Sequence, residues 1–175
     1  MIDIQRDIEE KAWDGKSLKN WVEQFGVLPE GNIKQEDART VLKEVVSEHT
    51  DSFIQRKLSE IDEDLPDLIS EKSYLEGVFA SQGISPEQVR NETVLVILGK
   101  KTIDQAITDL SIPEDLRSDF ERAVEIARII AWKEAIWRAE EKLESQIDAM
   151  TLEQLLQLDV KALCEEAYKQ IPLEV

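Results

Sequence analysis

The sequence predicts an all-α protein, a multi-helix bundle organised around one long helix over residues 113–149. The 175 residues include only 6 Gly and 5 Pro, whereas an all-β sandwich needs a turn signal about every 8–12 residues. Signals for helix starts recur along the whole chain instead. A chain of this length buries about 70% of the surface that its unfolded state exposes, so we expect a well-formed hydrophobic core.

The helix starts are predicted from five places where a short polar side chain precedes Glu or Gln by three residues, the spacing of a capping box. Those pairs are Asn32/Gln35, Ser85/Gln88, Thr102/Gln105, Ser111/Glu114 and Thr151/Gln154. Three glycines, Gly26, Gly83 and Gly99, follow apolar-periodic stretches and predict helix ends. The resulting helices span 2–13, 17–25, 33–59, 67–82, 86–98, 102–110, 113–149, 152–158 and 160–171.

The segment 93–98 is the weakest of these helices, because it is short, apolar and rich in β-branched residues, as a buried strand would be. No second segment of comparable quality is present in the sequence to pair with it. A lone strand is not stable, so a helix is favoured.

The domain organisation is predicted to be a single all-helical unit over residues 1–175, and the alternative is two lobes with a boundary near 60–70. Residues 59–76 contain seven acidic residues and a single basic one, Lys72, which marks a change in composition. Pro66 interrupts any helix within that stretch.

The long helix carries two apolar stripes on opposite sides. The first consists of Leu116, Phe120, Ala123, Ala127, Ile130 and Ala131, and the second of Trp132, Ile136, Ala139, Leu143, Ile147 and Met150. Since no Gly or Pro lies between 129 and 137, a continuous helix that packs on different partners at its two ends is favoured over a break. We expect both Trp132 and Trp137 to be buried near the change of stripe. On the N-terminal helices, Leu18, Trp21 and Phe25 are predicted to pack together on the body of the protein.

The charge of the chain is strongly one-sided, with 21 basic and 38 acidic residues and a net charge of −17. Direct binding to nucleic acid and to anionic membranes is disfavoured, because phosphate groups repel such a chain. The expected partner is a basic protein surface. No apolar run approaches the roughly 20 residues that span a bilayer, and the N-terminus lacks the apolar core of a signal peptide. These observations favour a cytoplasmic protein.

Catalytic chemistry has little support in the sequence. Cys164 and His49 are the single residues of their types; Cys164 lies at core spacing on a helix and His49 is expected at the surface. Carboxylate pairs at helical spacing, of the kind that hold metals in helical enzymes, are Glu48/Asp51, Glu60/Glu63, Glu121/Glu125 and Glu141/Glu144. Chance explains such pairs in a chain with 38 acids. We expect no cofactor.

The function predicted from the sequence is therefore that of a non-enzymatic, acidic helical protein that binds another protein, as an adaptor, regulatory subunit, antitoxin or inhibitor. Two alternatives are a nucleic-acid mimic that inhibits a DNA- or RNA-binding protein, and a carboxylate-based metal-dependent hydrolase. The predicted contacts with a basic partner are Glu60, Asp62, Glu63, Asp64 and Asp67. Self-association through the long helix is a further expectation.

Overall fold

A computed structural model describes residues 13–174, of which 77% are helical and none belongs to a strand. The all-α prediction is confirmed. The α-helices in this part of the chain are α1 (Gly15–Phe25), α2 (Gln35–Glu60), α3 (Leu65–Ala80), α4 (Pro86–Ile97), α5 (Ile103–Leu110), α6 (Arg117–Ala149), α7 (Leu152–Leu156) and α8 (Val160–Lys169). A 3-10 turn, Glu114–Leu116, precedes α6. The predicted helix 2–13 lies outside the described residues except for Trp13, which is not helical.

Local hydrogen bonds explain where most helices begin. Complete capping boxes form at Ser85, Thr102 and Thr151, each with the predicted glutamine three residues on. Asp14 caps α1 through the backbone N–H of Ser17. The predicted capping box at Ser111 is wrong. This residue has a left-handed backbone with φ 54°, because it ends α5 instead of starting the next helix.

The chain forms two compact units. Among the described residues, 13–54 and 135–172 belong to the first unit, and 55–134 with 173–174 belong to the second. Helices α2 and α6 each contribute residues to both units, since the divisions fall within them, after Ile54 and after Glu134.

The first unit packs α1, most of α2, the second part of α6, α7 and α8 around an apolar core. Its fully buried side chains include Leu18, Val22, Leu42, Val46, Ile136, Ile147, Leu155, Val160, Cys164 and Tyr168. The hydroxyl groups of Thr50 and Tyr168 form a polar contact within this core. Arg39 on α2 donates to the carbonyl oxygen of Met150 at 2.8 Å, which ties α2 to the end of α6.

The second unit packs α3, α4, α5 and the first part of α6. Its core includes Leu68, Leu75, Phe79, Val89, Val96, Ala106, Phe120 and Val124. The rings of Phe79 and Phe120 meet edge to face with their centroids 6.2 Å apart. Segment 93–98 continues α4, with Leu98 at its C-terminal cap, so the choice of helix over strand is confirmed.

The long helix α6 is continuous through residues 129–137, and it passes from the second unit to the first within this stretch. The second predicted stripe is buried at Trp132, Ile136, Leu143 and Ile147. Trp137 is 41% exposed, so the expectation that both tryptophans are buried is wrong. The first predicted stripe, which precedes Trp132, is not part of the core either, because Phe120 alone of its six residues is buried.

Within the described part of the chain, no helix is long and apolar enough to cross a membrane.

Candidate functional site

An apolar groove of about 360 Å³ lies in the second unit, where side chains of α3, α4 and α6 surround it. It is lined by Lys72 and Glu76 of α3, by Pro86, Val89, Arg90, Thr93, Val94, Ile97 and Leu98 of α4 and its cap, and by Ala123, Ala127, Ile130, Ala131 and Glu134 of α6. Except for Glu134, these α6 residues belong to the first predicted stripe. The groove is the candidate functional site.

The groove follows the helices for about three turns. Its lining residues recur every three or four positions on α4 from Pro86 to Leu98, which is about 18 Å at 1.5 Å per residue. On α6 they recur in the same way from Ala123 to Glu134, or about 16 Å. The site is therefore an elongated surface groove.

Large apolar side chains stand exposed at the rim of the groove. Leu98 is 61% exposed and Val94, one turn earlier, is 46% exposed. Covering apolar surface gains about 25 cal/mol per Å² removed from water. An exposed apolar patch beside a groove is typical of a binding surface.

Four charged residues lie at the edges of the groove. Lys72 and Glu76 form an ion pair with each other, 3.7 Å apart. Arg90 on α4 and Glu134 on α6 are both exposed, and neither forms an ion pair with another residue that the structure describes. Their charges are available to a bound partner.

The acidic residues predicted to contact a partner lie around the connection from α2 to α3, and three of them have contacts within the fold. Glu60 ends α2 with its carboxylate 2.8 Å from the Lys57 ammonium group. Asp64 caps α3 by accepting from the N–H of Asp67 at 2.9 Å. The third, Glu63, binds Arg122. Asp62 and Asp67 are exposed to solvent.

Arg122 of α6 neutralises part of the negative charge in the acidic segment 59–76. Its guanidinium group forms a two-pronged pair with Glu71, at 2.9 and 2.7 Å, and lies 2.8 Å from the carboxylate of Glu63. It also approaches Glu125 at 3.2 Å. The hydrogen bonds from Arg122 hold the pKa of Glu71 below its ordinary value. The segment thus has a structural role, and its predicted contact with a basic partner stays a prediction.

Cys164 and His49, the single residues of their types in the sequence, have different surroundings. Cys164 is fully buried, and burial raises the pKa of its thiol to about 12, which makes it a poor nucleophile. His49 is partly buried, so the expectation of a surface histidine is wrong. In residues 13–174, no group of three or more His, Cys, Asp or Glu side chains is placed to hold a metal ion.

The N-terminal aromatic residues are more exposed than predicted. Leu18 and Val22 form the buried stripe of α1, whereas Trp21 and Phe25 are 36% and 50% exposed. Their rings contact each other at a centroid distance of 4.4 Å, and Trp13 meets Trp21 edge to face at 5.7 Å. The prediction that these two aromatic rings pack on the body is therefore wrong, although Leu18, the third member of the predicted stripe, is fully buried.

Comparison of the chain with protein families, with curated proteins and with solved structures found no match.

Sequence reasoning missed the groove because it expected a packing partner to cover the first stripe of α6. Three of the six residues in that stripe are alanines, but alanine is also common in cores, so the stripe by itself did not reveal the groove.

Proposed function

We propose that this protein is non-enzymatic and binds a basic partner protein through the apolar groove of its second unit. The observation that carries the proposal is the exposure of Val94 and Leu98 beside a groove that extends along the whole of α4. Adaptors, regulatory subunits, antitoxins and inhibitors share this way of acting.

The charge of the chain supports a basic partner over a second copy of the chain. Residues 55–134 contain seventeen acidic and ten basic side chains. A second copy brings the same negative excess, and like charges facing each other across an interface oppose association. A basic protein is attracted instead. The exposed Asp62 and Asp67 add to this attraction, which acts mainly on the association rate and weakens as salt is added.

The groove supplies the contact energy that long-range charge does not. Burial of the exposed apolar rim is non-directional and insensitive to moderate salt. Arg90 and Glu134 then select partners that present opposite charges at matching positions. The proposed complex therefore combines an apolar centre with a charged edge, the usual anatomy of a protein interface.

A site-specific cross-linking experiment tests this proposal. A photo-reactive benzophenone side chain is introduced at Leu98, at the rim of the groove, and in a separate variant at Leu156, which is 40% exposed on the first unit. Both proteins are irradiated in an extract of the cells that express the chain. We expect a cross-linked protein from position 98 and not from position 156.

The specificity of that product is tested with a second substitution in the same protein. Ala127→Arg places a long charged side chain in the groove, and Val94→Ser removes apolar surface from its rim without changing the charge. We expect both to reduce the product at least fivefold while circular dichroism shows an unchanged helix content. A product that persists in both variants, or that forms equally from position 156, would refute the groove as the binding site.

A further inference from the structure

We propose that the partner segment in the groove is an amphipathic α-helix of about three turns, with one apolar face and a basic residue beside it. This inference rests on the proposed function of the groove as a protein-binding site. It adds the conformation and the chemistry of the bound segment.

The length and shape of the groove fit a helix. The lining residues of α4 extend over about 18 Å, the length of a twelve-residue helix. Successive lining positions are three or four residues apart on both α4 and α6. Side chains at i, i+4 and i+7 of a bound helix recur at a similar interval, so that they face the groove together.

The walls of the groove disfavour an extended peptide. An extended peptide that binds by strand addition pairs its backbone N–H and C=O groups with an unpaired sheet edge. The walls here are α3, α4 and α6, whose interior backbone groups already bond within their own helices. A helix satisfies its own backbone and needs only side-chain contacts from the groove.

The α6 wall allows a helix to approach closely. Ala123, Ala127 and Ala131 follow one another at intervals of four residues, so they lie one above another on the same face. Each presents a single methyl group to the groove. Val94 and Leu98, also four residues apart, stand at the α4 side and flank the space above the alanines.

We place the basic residue of the partner helix opposite Glu134, while Arg90, the other exposed charge at the edge of the groove, favours an acidic residue at its own position. The Glu134 carboxylate lies at the edge of the groove and forms no ion pair with another described residue. A Lys or Arg beside the apolar face of the bound helix neutralises it. The negative excess of the whole chain acts in the same direction.

The test uses a displayed library of random sixteen-residue peptides and the full-length protein. We expect enriched sequences with apolar residues at i, i+3 or i+4, and i+7, and with a net positive charge. The same selection on Glu134→Lys should lose the preference for Lys and Arg next to the apolar positions.

One enriched peptide is then synthesised with a fluorescent label, and its binding is measured by anisotropy. We expect Ala127→Arg to weaken binding at least tenfold. The matched control is Tyr74→Ser, which removes a side chain that is 69% exposed on α3 and does not line the groove; binding should change less than twofold. Circular dichroism should show that the peptide gains helix on binding.

Several results would overturn the helix proposal: no enriched sequence, enriched sequences without helical spacing, or binding that Ala127→Arg does not affect. If cross-linking from Leu98 still yields a product that the groove variants abolish, only the helix inference fails; if that product is missing too, the proposed function fails with it. If an apolar dye binds the native protein but not the Ala127→Arg variant, and no peptide binds either, the groove takes a small apolar ligand instead. A dimer in sedimentation that the same substitution dissolves would indicate a second copy.

Discussion

The contact between Thr50 and Tyr168 is a hydrogen bond that a double-mutant cycle can isolate. Thr50 and Tyr168 are 0% and 1% exposed, and their hydroxyl groups meet in the core of the first unit. The Thr50 hydroxyl donates to the carbonyl oxygen of Val46 at 2.7 Å. Because a hydroxyl has one proton, Tyr168 must donate to Thr50.

Because of this arrangement, the two single substitutions should lower the free energy of unfolding by different amounts. Thr50→Val keeps the shape of the side chain but leaves the Tyr168 hydroxyl buried without its oxygen partner, at a cost of about 1–3 kcal/mol. Tyr168→Phe removes the donor while Thr50 keeps its bond to Val46, so the cost is about 0.5–1.5 kcal/mol. With both hydroxyls gone, no donor is stranded. We expect the double variant to lose about 1 kcal/mol less than the sum of the singles.

The assay is urea unfolding followed by far-UV circular dichroism for the four members of the cycle. Thr108→Val is the matched control, since the Thr108 hydroxyl donates at 2.9 Å to the carbonyl oxygen four residues earlier but is exposed. It should cost below about 0.5 kcal/mol, as surface substitutions do. If the free-energy losses of the two single variants sum to the loss of the double variant within about 0.3 kcal/mol, the two hydroxyls are not coupled.

Three further predictions concern other parts of the chain. Trp132→Ala, at a side chain that is 6% exposed, should destabilise by about 3–5 kcal/mol. Trp137→Ala, at 41% exposure, should cost at least about 1 kcal/mol less, because less apolar surface is buried. Equal losses in chemical unfolding would contradict the burial difference. Cys164, with its pKa raised to about 12 by burial, should react with a disulfide reagent at pH 8 about a thousandfold more slowly in the native protein than in urea, and rapid native labelling would show that the core opens readily. Because Arg122 lowers the pKa of Glu71, their pairing stabilises the fold above the ordinary carboxyl pKa of 4.5 and is lost as the pH falls through the lowered value. The free energy of unfolding should therefore fall less steeply with acidification in Arg122→Met than in the native chain, and identical pH profiles would argue against this pairing.

The long helix shows where prediction from the sequence succeeds and where it fails. The change of apolar stripe near residue 132 indicated different surroundings at the two ends of one helix, and α6 does pass from one unit to the other there. The pattern specified which residues share a face. It did not specify whether another element covers that face. The stripe with Ala123, Ala127 and Ala131 lines an open groove, while the stripe with Ile136 and Ile147 is buried.

The acidic segment shows the same limit for charges. Its composition was visible in the sequence, but the partner of Glu71 is Arg122, 51 residues away along the chain. That distance exceeds any spacing within one helix, so no local pattern could have paired them. A segment that looked like an excess of unbalanced charge is partly neutralised within the fold.

The sequence by itself determined the helical class and most helix ends, because a capping box or a left-handed glycine acts within three or four residues. Ser85, Thr102 and Thr151 start their helices through such short-range bonds. The tertiary structure alone decided that Trp137 and the alanines of α6 face outward. Burial depends on which helices pack against a face, and that packing joins residues far apart in the chain.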